Sequence, residues 1–259
     1  MKISATIITF NEESNVAKAI KSLSFVDEII VVDSHSTDRT IEIAKDLGAK
    51  VLLNKFAGYG QQKNFAASQC STPWVLNIDA DEEVTETLKN SILQTVNSGP
   101  EETSNIYYLQ RMTQFCGQWI KHGGWFPDNI GRLYKKDHAH WTEPQVHEKL
   151  VTKIDRQRPK NPPFLKGLLK HYSFPTVLSQ VQTNIKYARL GSKQLTLKNK
   201  SRPHFSKIIL KPLGKFIECY ILKKGLLDGK AGLIIAMNAA YSIFLKYTFA
   251  FMDKEDNPN

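Results

Sequence analysis

The stretch VLNIDADEEV, Val75 to Val84, sets the residues of a buried strand directly against four carboxylates, Asp79, Asp81, Glu82 and Glu83. On an extended strand alternate side chains share a face, so Asp79 and Asp81 are expected to point the same way with Ala80 opposite. Two carboxylates on one face repel, and each raises the other's pKa unless positive charge offsets them. A hard divalent cation, Mg2+ or Mn2+, meets that need with one or two carboxylates, its shell completed by the phosphates of a bound nucleotide. Glu82 and Glu83 read differently, because at the head of EEVTETLKNSIL they favour the positive end of a helix.

Such side chains need elements to aim them, and the first hundred residues supply a repeating pattern. ISATIITF (Ile3 to Phe10) reads as a strand; NEESNVAKAIKSL reads as the helix after it, capped by Asn11, with Val16, Ala19, Ile20 and Leu23 on one face. EIIVVDS, Glu28 to Ser34, is an apolar run ending in Asp33, as expected of a strand buried on both faces. STDRTIEIAKDLG follows as a helix that stops at Gly48. AKVLLN is the third strand, GQQKNFAASQC a short helix and WVLNIDA the fourth strand. This alternation defines an α/β fold with a mostly parallel central sheet. Ligands of such sheets sit at the carboxyl ends of the strands, where Thr9 to Glu12, Asp33 and Asp79 to Asp81 all fall.

Beyond Asn105 the texture changes. IYYLQRMTQF and IGRLYKK read as strands around the loop CGQWIKHGGWFPD; QVHEKLV reads as a further strand, and the Pro-rich RQRPKNPPF, Arg156 to Phe164, as a linker or surface loop. Three helical stretches complete the chain. The last contains an uncharged run, Ala231 to Leu245, shorter than the roughly eighteen to twenty residues of a spanning helix, so it reads as a packed helix or as one lying on an anionic membrane.

Charge favours the membrane. The chain has 35 Lys and Arg against 25 Asp and Glu, a net charge of +10, and from Lys153 to Lys224 there are 17 basic residues against only Asp155 and Glu218. That asymmetry calls for an anionic partner. No nucleic-acid-binding signature accompanies it, so nucleic acid is not expected. The three cysteines form no metal or disulfide spacing, which fits a reducing, cytoplasmic setting, and the N-terminus lacks the features of a signal peptide. His138 and His140 have strand spacing but no evident third ligand. There is no G-x-S-x-G and no P-loop, so hydrolase and ATPase readings fall away.

TIITFNEE, VVDSHSTDRT, GQQKN and NIDADEE occur in that order, followed by VHEKL and ECYILKKGLLDGKAGL. This set resembles the family 2 inverting glycosyltransferases of the GT-A fold, and within them the lipopolysaccharide core β1,4-glucosyltransferases. The resemblance implies a GT-A catalytic domain over 1–165, with a nucleotide-binding half at 1–100 and an acceptor-binding half at 101–165. The remainder, 166–259, is then a basic helical extension in contact with the membrane surface. It further implies that Thr9, Asn11 and Glu12 contact the nucleotide, that Asp33 hydrogen-bonds the uracil or its ribose, and that Lys63 and Asn64 lie near the nucleotide. Asp79 then binds ribose or metal and Asp81 the metal bridging the phosphates.

An inverting transfer also needs a base for the acceptor hydroxyl. Glu148 beside His147 is the first candidate and Asp128 the second. Trp125, Phe126 and Arg132 suit an acceptor site, since aromatic faces stack on sugars and Arg grips phosphate. The implied reaction moves a hexose, glucose by family resemblance, from a UDP-sugar to a phosphorylated, lipid-linked glycan acceptor at the inner face of the cell membrane. The alternatives are a nucleotidyltransferase, which ordinarily has a Gly-rich basic loop where this chain has the acidic TFNEE, and a membrane-associated adapter without catalysis.

Overall fold

A computed structural model describes residues 2–98, 104–143, 148–154, 156–159, 161–199 and 203–252. The expected strand QVHEKLV lies partly outside these residues, as does His147. The chain forms two compact units, one from Met1–Arg111 with Asp128–His171, the other from Met112–Pro127 with Tyr172–Asn259.

The first unit opens with strands β1 (Ile3–Thr9), β2 (Glu28–Asp33), β3 (Lys50–Leu53) and β4 (Trp74–Asp79), linked by helices α1 (Val16–Ser22), α2 (Thr40–Asp46) and α3 (Tyr59–Ser68). The strands lie parallel in the order β3-β2-β1-β4. Their continuous apolar character follows from burial on both faces: Ala5, Ile7, Val31, Val32, Leu76 and Ile78 are fully buried. Register then aligns the strand ends, with Thr9 opposite Asp33 and Ile8 opposite Asp79. Three polar segments far apart in sequence thus reach one edge.

Parallel pairing stops at β4. Strand β5 (Glu82–Val84) and helix α4 (Glu86–Asn97) come next, then β6 (Ile106–Phe115), the short β7 (Gln118–Trp119) and β8 (Asp128–Lys135). β8 runs antiparallel to both β4 and β6, and β7 pairs back onto the end of β6. Strands β9 (Ala139–Trp141) and β10 (Leu150–Thr152) form a separate two-stranded sheet, and β11 (Phe164–Phe174) joins β5 in antiparallel register, His171 opposite Glu82.

Several boundaries depart from the sequence reading. Asn11 does not cap a helix: it adopts φ 56°, and the helix begins only at Val16 because its side chain is committed to Thr37 N–H. Glu82 and Glu83 do not start α4; they belong to β5, and the cap is Thr85, whose hydroxyl accepts from Leu88 N–H and donates to the Leu168 carbonyl. β4 ends at Asp79, so Asp81 lies in the turn beyond the strand and strand alternation does not govern it. β11 departs from the sequence reading, which puts a linker or surface loop at Arg156–Phe164 and a helical extension over 166–259. Its Pro-rich approach masked an alternating segment in which Leu165 and Leu169 face the core while Lys166 and Lys170 do not.

The second unit contains α5 (Val177–Asn199), α6 (Ser206–Ile217), a π-helical turn (Glu218–Leu222), a 3-10 turn (Gly225–Asp228) and α7 (Gly229–Met252). α7 packs against both α5 and α6, and its Ala231 and Ile235 join Phe115 and Ile120 in a small core. By length and composition Gly225–Met252 could cross a membrane.

One close approach in the first unit fixes how β11 passes α4. Gly167 has φ 101°, and a Cβ there would lie 2.3 Å from the Leu88 backbone nitrogen. Gly167→Ala should lower the unfolding free energy by about 2–4 kcal/mol. The readout is a reduced urea midpoint at unchanged slope; an unchanged midpoint would mean that α4 shifts without penalty.

Candidate active site

At the edge where β1, β2 and β4 end, the loops are tied down by their own polar groups. Asp33 is fully buried; its carboxylate accepts the Thr9 hydroxyl at 2.7 Å, the Ser36 hydroxyl at 2.6 Å and Ser36 N–H at 2.7 Å. The Asn11 side-chain oxygen accepts Thr37 N–H, and Glu12 donates its N–H to the Thr40 hydroxyl and accepts from the Asn15 amide. These bonds make the ends of β1 and β2 a rigid pair of loops.

Asp79 sits deeper in the charge pattern. Arg132, from β8, is 4% exposed and donates to Asn77 Oδ1 at 2.9 Å, Asp79 Oδ2 at 2.5 Å and Glu82 Oε1 at 2.8 Å. Arg111 reaches Glu82 Oε1 at 3.0 Å and clamps Asp128 Oδ2 through two N–H groups at 2.9 and 2.7 Å. Lys63, also buried, lies 3.5 Å from Asp79 and 2.7 Å from Glu148 and stands over the Trp141 ring. Burial works against ionised Asp79, but the Arg132 guanidinium and the Lys63 ammonium outweigh it and hold that carboxyl well below the usual range.

Asp81 has a different neighbour. His171 Nε2, from β11, is 3.1 Å from Asp81 Oδ2. Glu12 belongs to the same electrostatic neighbourhood. Burial raises its pKa first, the Asn15 amide lowers it, and repulsion from Asp81, Asp38 and Asp79 raises it further. This is an edge where negative charge exceeds what its neighbours offset.

The expected site residues therefore separate. Thr9, Asn11, Glu12, Asp33, Lys63, Asp79, Asp81, Asp128, Arg132 and Glu148 all lie in the first unit, joined through strand ends and ion pairs. Arg132 is not presented to an acceptor phosphate: it is buried, both terminal nitrogens are engaged by Asn77, Asp79 and Glu82, and its Nε is enclosed without a partner among the described residues. Asn64 exchanges hydrogen bonds with the Trp141 backbone and donates to Glu143, which anchors β9 to α3. Trp125 belongs to the second unit and packs on Phe115 and Phe174 there.

Sequence reasoning missed His171, the two-arginine brace on Glu82 and Tyr59, whose hydroxyl pKa is raised by burial and then by Glu148 and Asp79. For Glu82 a signal existed: a carboxylate inside an apolar alternation, fully buried here, requires a cation nearby.

Among the described residues no group of three or more His, Cys, Asp or Glu side chains is arranged to hold a metal. Asp79 already has protein cations on its carboxylate. The Asp81–His171 pair, one oxygen and one nitrogen donor, fits a divalent ion whose remaining ligands come from phosphate and water.

The fold and this edge define an α/β protein of GT-A type. The model of glycosyl transferase family 2 matches residues 4–149, and the chain belongs to that family. It is 33% identical to an uncharacterized glycosyltransferase of Rickettsia typhi over 95% of this chain and 85% of that one. It is 30% identical to the lipopolysaccharide core biosynthesis glycosyltransferase LpsC of Rhizobium meliloti over 95% of this chain and 90% of that one. Among solved structures, glucosyl-3-phosphoglycerate synthase from Mycobacterium tuberculosis, in complex with Mn2+, UDP and glucosyl-3-phosphoglycerate, aligns at 28% identity over 44% of each chain. Its TM-score is 0.35, an overlap too small to transfer any ligand contact. Family membership sets the nucleotidyltransferase reading aside.

The depressed Asp79 carboxyl has a pH signature. Its contribution to stability is full above the unfolded-state pKa of about 4 and is lost as pH falls through the lower folded value. Asp79→Asn should therefore be less stable than the wild type by a constant margin at neutral pH, the margin shrinking below about pH 4. Urea denaturation across that range measures it; a margin that grows on acidification would contradict the ion pairing.

Proposed function

We propose that this chain is an inverting, metal-dependent glycosyltransferase that moves a hexose from a UDP-sugar to a phosphorylated, lipid-linked glycan at the inner, cytoplasmic face of the cell membrane. A lipopolysaccharide-core acceptor is the finer reading, supported by the likeness to LpsC, and glucose is the hexose that the family resemblance implies. The observation that carries the mechanism is the Asp81–His171 pair beside an Asp79 whose charge is already offset. Asp81 and His171 would hold Mn2+, or Mg2+ less readily because of the imidazole donor, and the bound ion would offset charge building on the leaving diphosphate.

The chain's own residues do the rest. Thr9, Asn11, Glu12 and Asp33 frame the nucleoside end, with the loops already fixed by the Asp33 and Asn11 hydrogen bonds. Arg132 and Lys63 hold Asp79 in place for the ribose. Glu148 serves as base: it takes the proton from the acceptor hydroxyl as that oxygen bonds to the anomeric carbon and the bond to the UDP oxygen breaks. Lys63 positions it and links it to Asp79. Asp128 is the second candidate, with Arg111 occupying one of its two carboxylate oxygens.

Calorimetric titration of UDP should show binding that strengthens with Mn2+, and Asp81→Ala and His171→Ala should each remove the Mn2+ effect. Binding indifferent to metal in the wild type would sink the metal assignment. Glu148→Gln should bind UDP normally yet lose transfer by about a hundredfold to ten-thousandfold. If turnover survives in Glu148→Gln and is lost in Asp128→Asn, the base is Asp128.

A further inference from the structure

The second unit carries an α-helix whose outward face is the reverse of an ordinary surface helix. At 100° per residue, Ile208, Pro212 and Phe216 fall on one side of α6, and Ile208 is the residue buried there. The opposite arc holds Ile209, Leu210, Leu213 and Ile217, all exposed, Leu210 by 63%. Lys207 and Lys211 flank one border of that arc, while Lys215 lies nearer the Ile208 side and pairs with Glu218. The apolar face does not stop with the helix. Ile221 and Leu222 extend it through the π-helical turn, and Leu222 is 72% exposed.

A second apolar point lies just beyond, and the fold holds it in shape. Leu226 and Leu227 are exposed in the 3-10 turn, between Lys223 and Lys224 on one side and Lys230 on the other. Next to them Asp228 is turned inward, accepting His122 N–H at 2.8 Å and Lys121 N–H at 3.3 Å and meeting His122 Nδ1 at 3.0 Å. On the other flank Glu218 pairs with both Lys215 and Lys223. The turn is thus braced by buried and bridged charge while its two leucines face outward.

We propose that this surface, the outer face of α6 with the Leu226–Leu227 turn, is an interfacial anchor that seats in an anionic lipid bilayer. It rests on the membrane-proximal reading above and names the part of the chain responsible. Water is a poor solvent for so contiguous an apolar face, and acyl chains at the headgroup boundary relieve it. The bordering lysines match the negative surface of such a membrane. That charge complementarity favours lipid over a second copy of this chain, whose matching face would carry the same lysines.

The test is flotation of the full-length protein with phosphatidylcholine vesicles, with and without phosphatidylglycerol, alongside UDP titration with Mn2+. Wild type should bind the anionic vesicles, less so as salt rises. Leu210→Ser with Leu213→Ser, or Leu226→Ser with Leu227→Ser, should weaken that binding by about tenfold or more at any salt. Lys207→Gln with Lys211→Gln should remove most of the preference for anionic lipid. Helical content and UDP binding should stay as in the wild type throughout.

Wild-type vesicle binding that survives both leucine pairs overturns the proposal. So does a stable dimer in sedimentation that the leucine changes dissociate, since that face would then be covered by a second copy. UDP binding without vesicle binding would sink the anchor alone; vesicle binding without UDP binding would sink the glycosyltransfer mechanism and leave the anchor standing.

Discussion

The site depends on one buried guanidinium. Arg132 joins the end of β4 to β5 by holding Asn77, Asp79 and Glu82 at once, and Arg111 meets Glu82 from β6. Without these cations the carboxylates of Asp79 and Glu82 would face each other in a poorly solvated place, where each charge costs several kcal/mol unless paired and hydrogen-bonded. With them, Glu82 also accepts Asp79 N–H at 2.8 Å, which fixes the turn that carries Asp81. The antiparallel strands β6 and β8 are therefore as much a part of the site as the parallel strands that end there.

The parallel half was legible because its signals are local. Apolar runs, helix periodicity and Gly48 each mark an element within a few residues, and β1 to β4 fall within one or two residues of the expected limits. Legibility faded where geometry depends on distant partners. Strand β5 is three residues long and exists because β11 pairs with it some ninety positions later. β11 itself follows a Pro-rich stretch whose composition describes a loop, and its pairing partner cannot be recognised in its own sequence.

The site was half legible for the same reason. The register of β1, β2 and β4 follows from their order, so the convergence of Thr9, Asp33 and Asp79 could be foreseen. The partner of Asp79 could not. Like-charge repulsion on the strand demanded a cation, and a metal and a buried arginine satisfy that demand equally well on paper. Arg132 reads from sequence as an acceptor-side residue because nothing nearby in the chain shows that it is buried. His171 was invisible, because a histidine at the end of an unrecognised strand has no apparent relation to a turn at residue 81.

Electrostatic asymmetry decides how the edge divides its work. Lys63, Arg111 and Arg132 are drawn to Asp79, Glu82, Asp128 and Glu148, so the protein's cations are concentrated on one side of the carboxylate cluster. On the other side Asp81 has a histidine, and Glu12 is pushed toward its neutral form by burial and by the acids around it. On the proposed metal-dependent mechanism, a cation arriving from solution would gain more at Asp81 than at Asp79, where Arg132 and Lys63 already stand. The two aspartates of the opening motif thus differ in kind. Asp79 is offset from within by Arg132 and Lys63, whereas Asp81 is paired with a histidine.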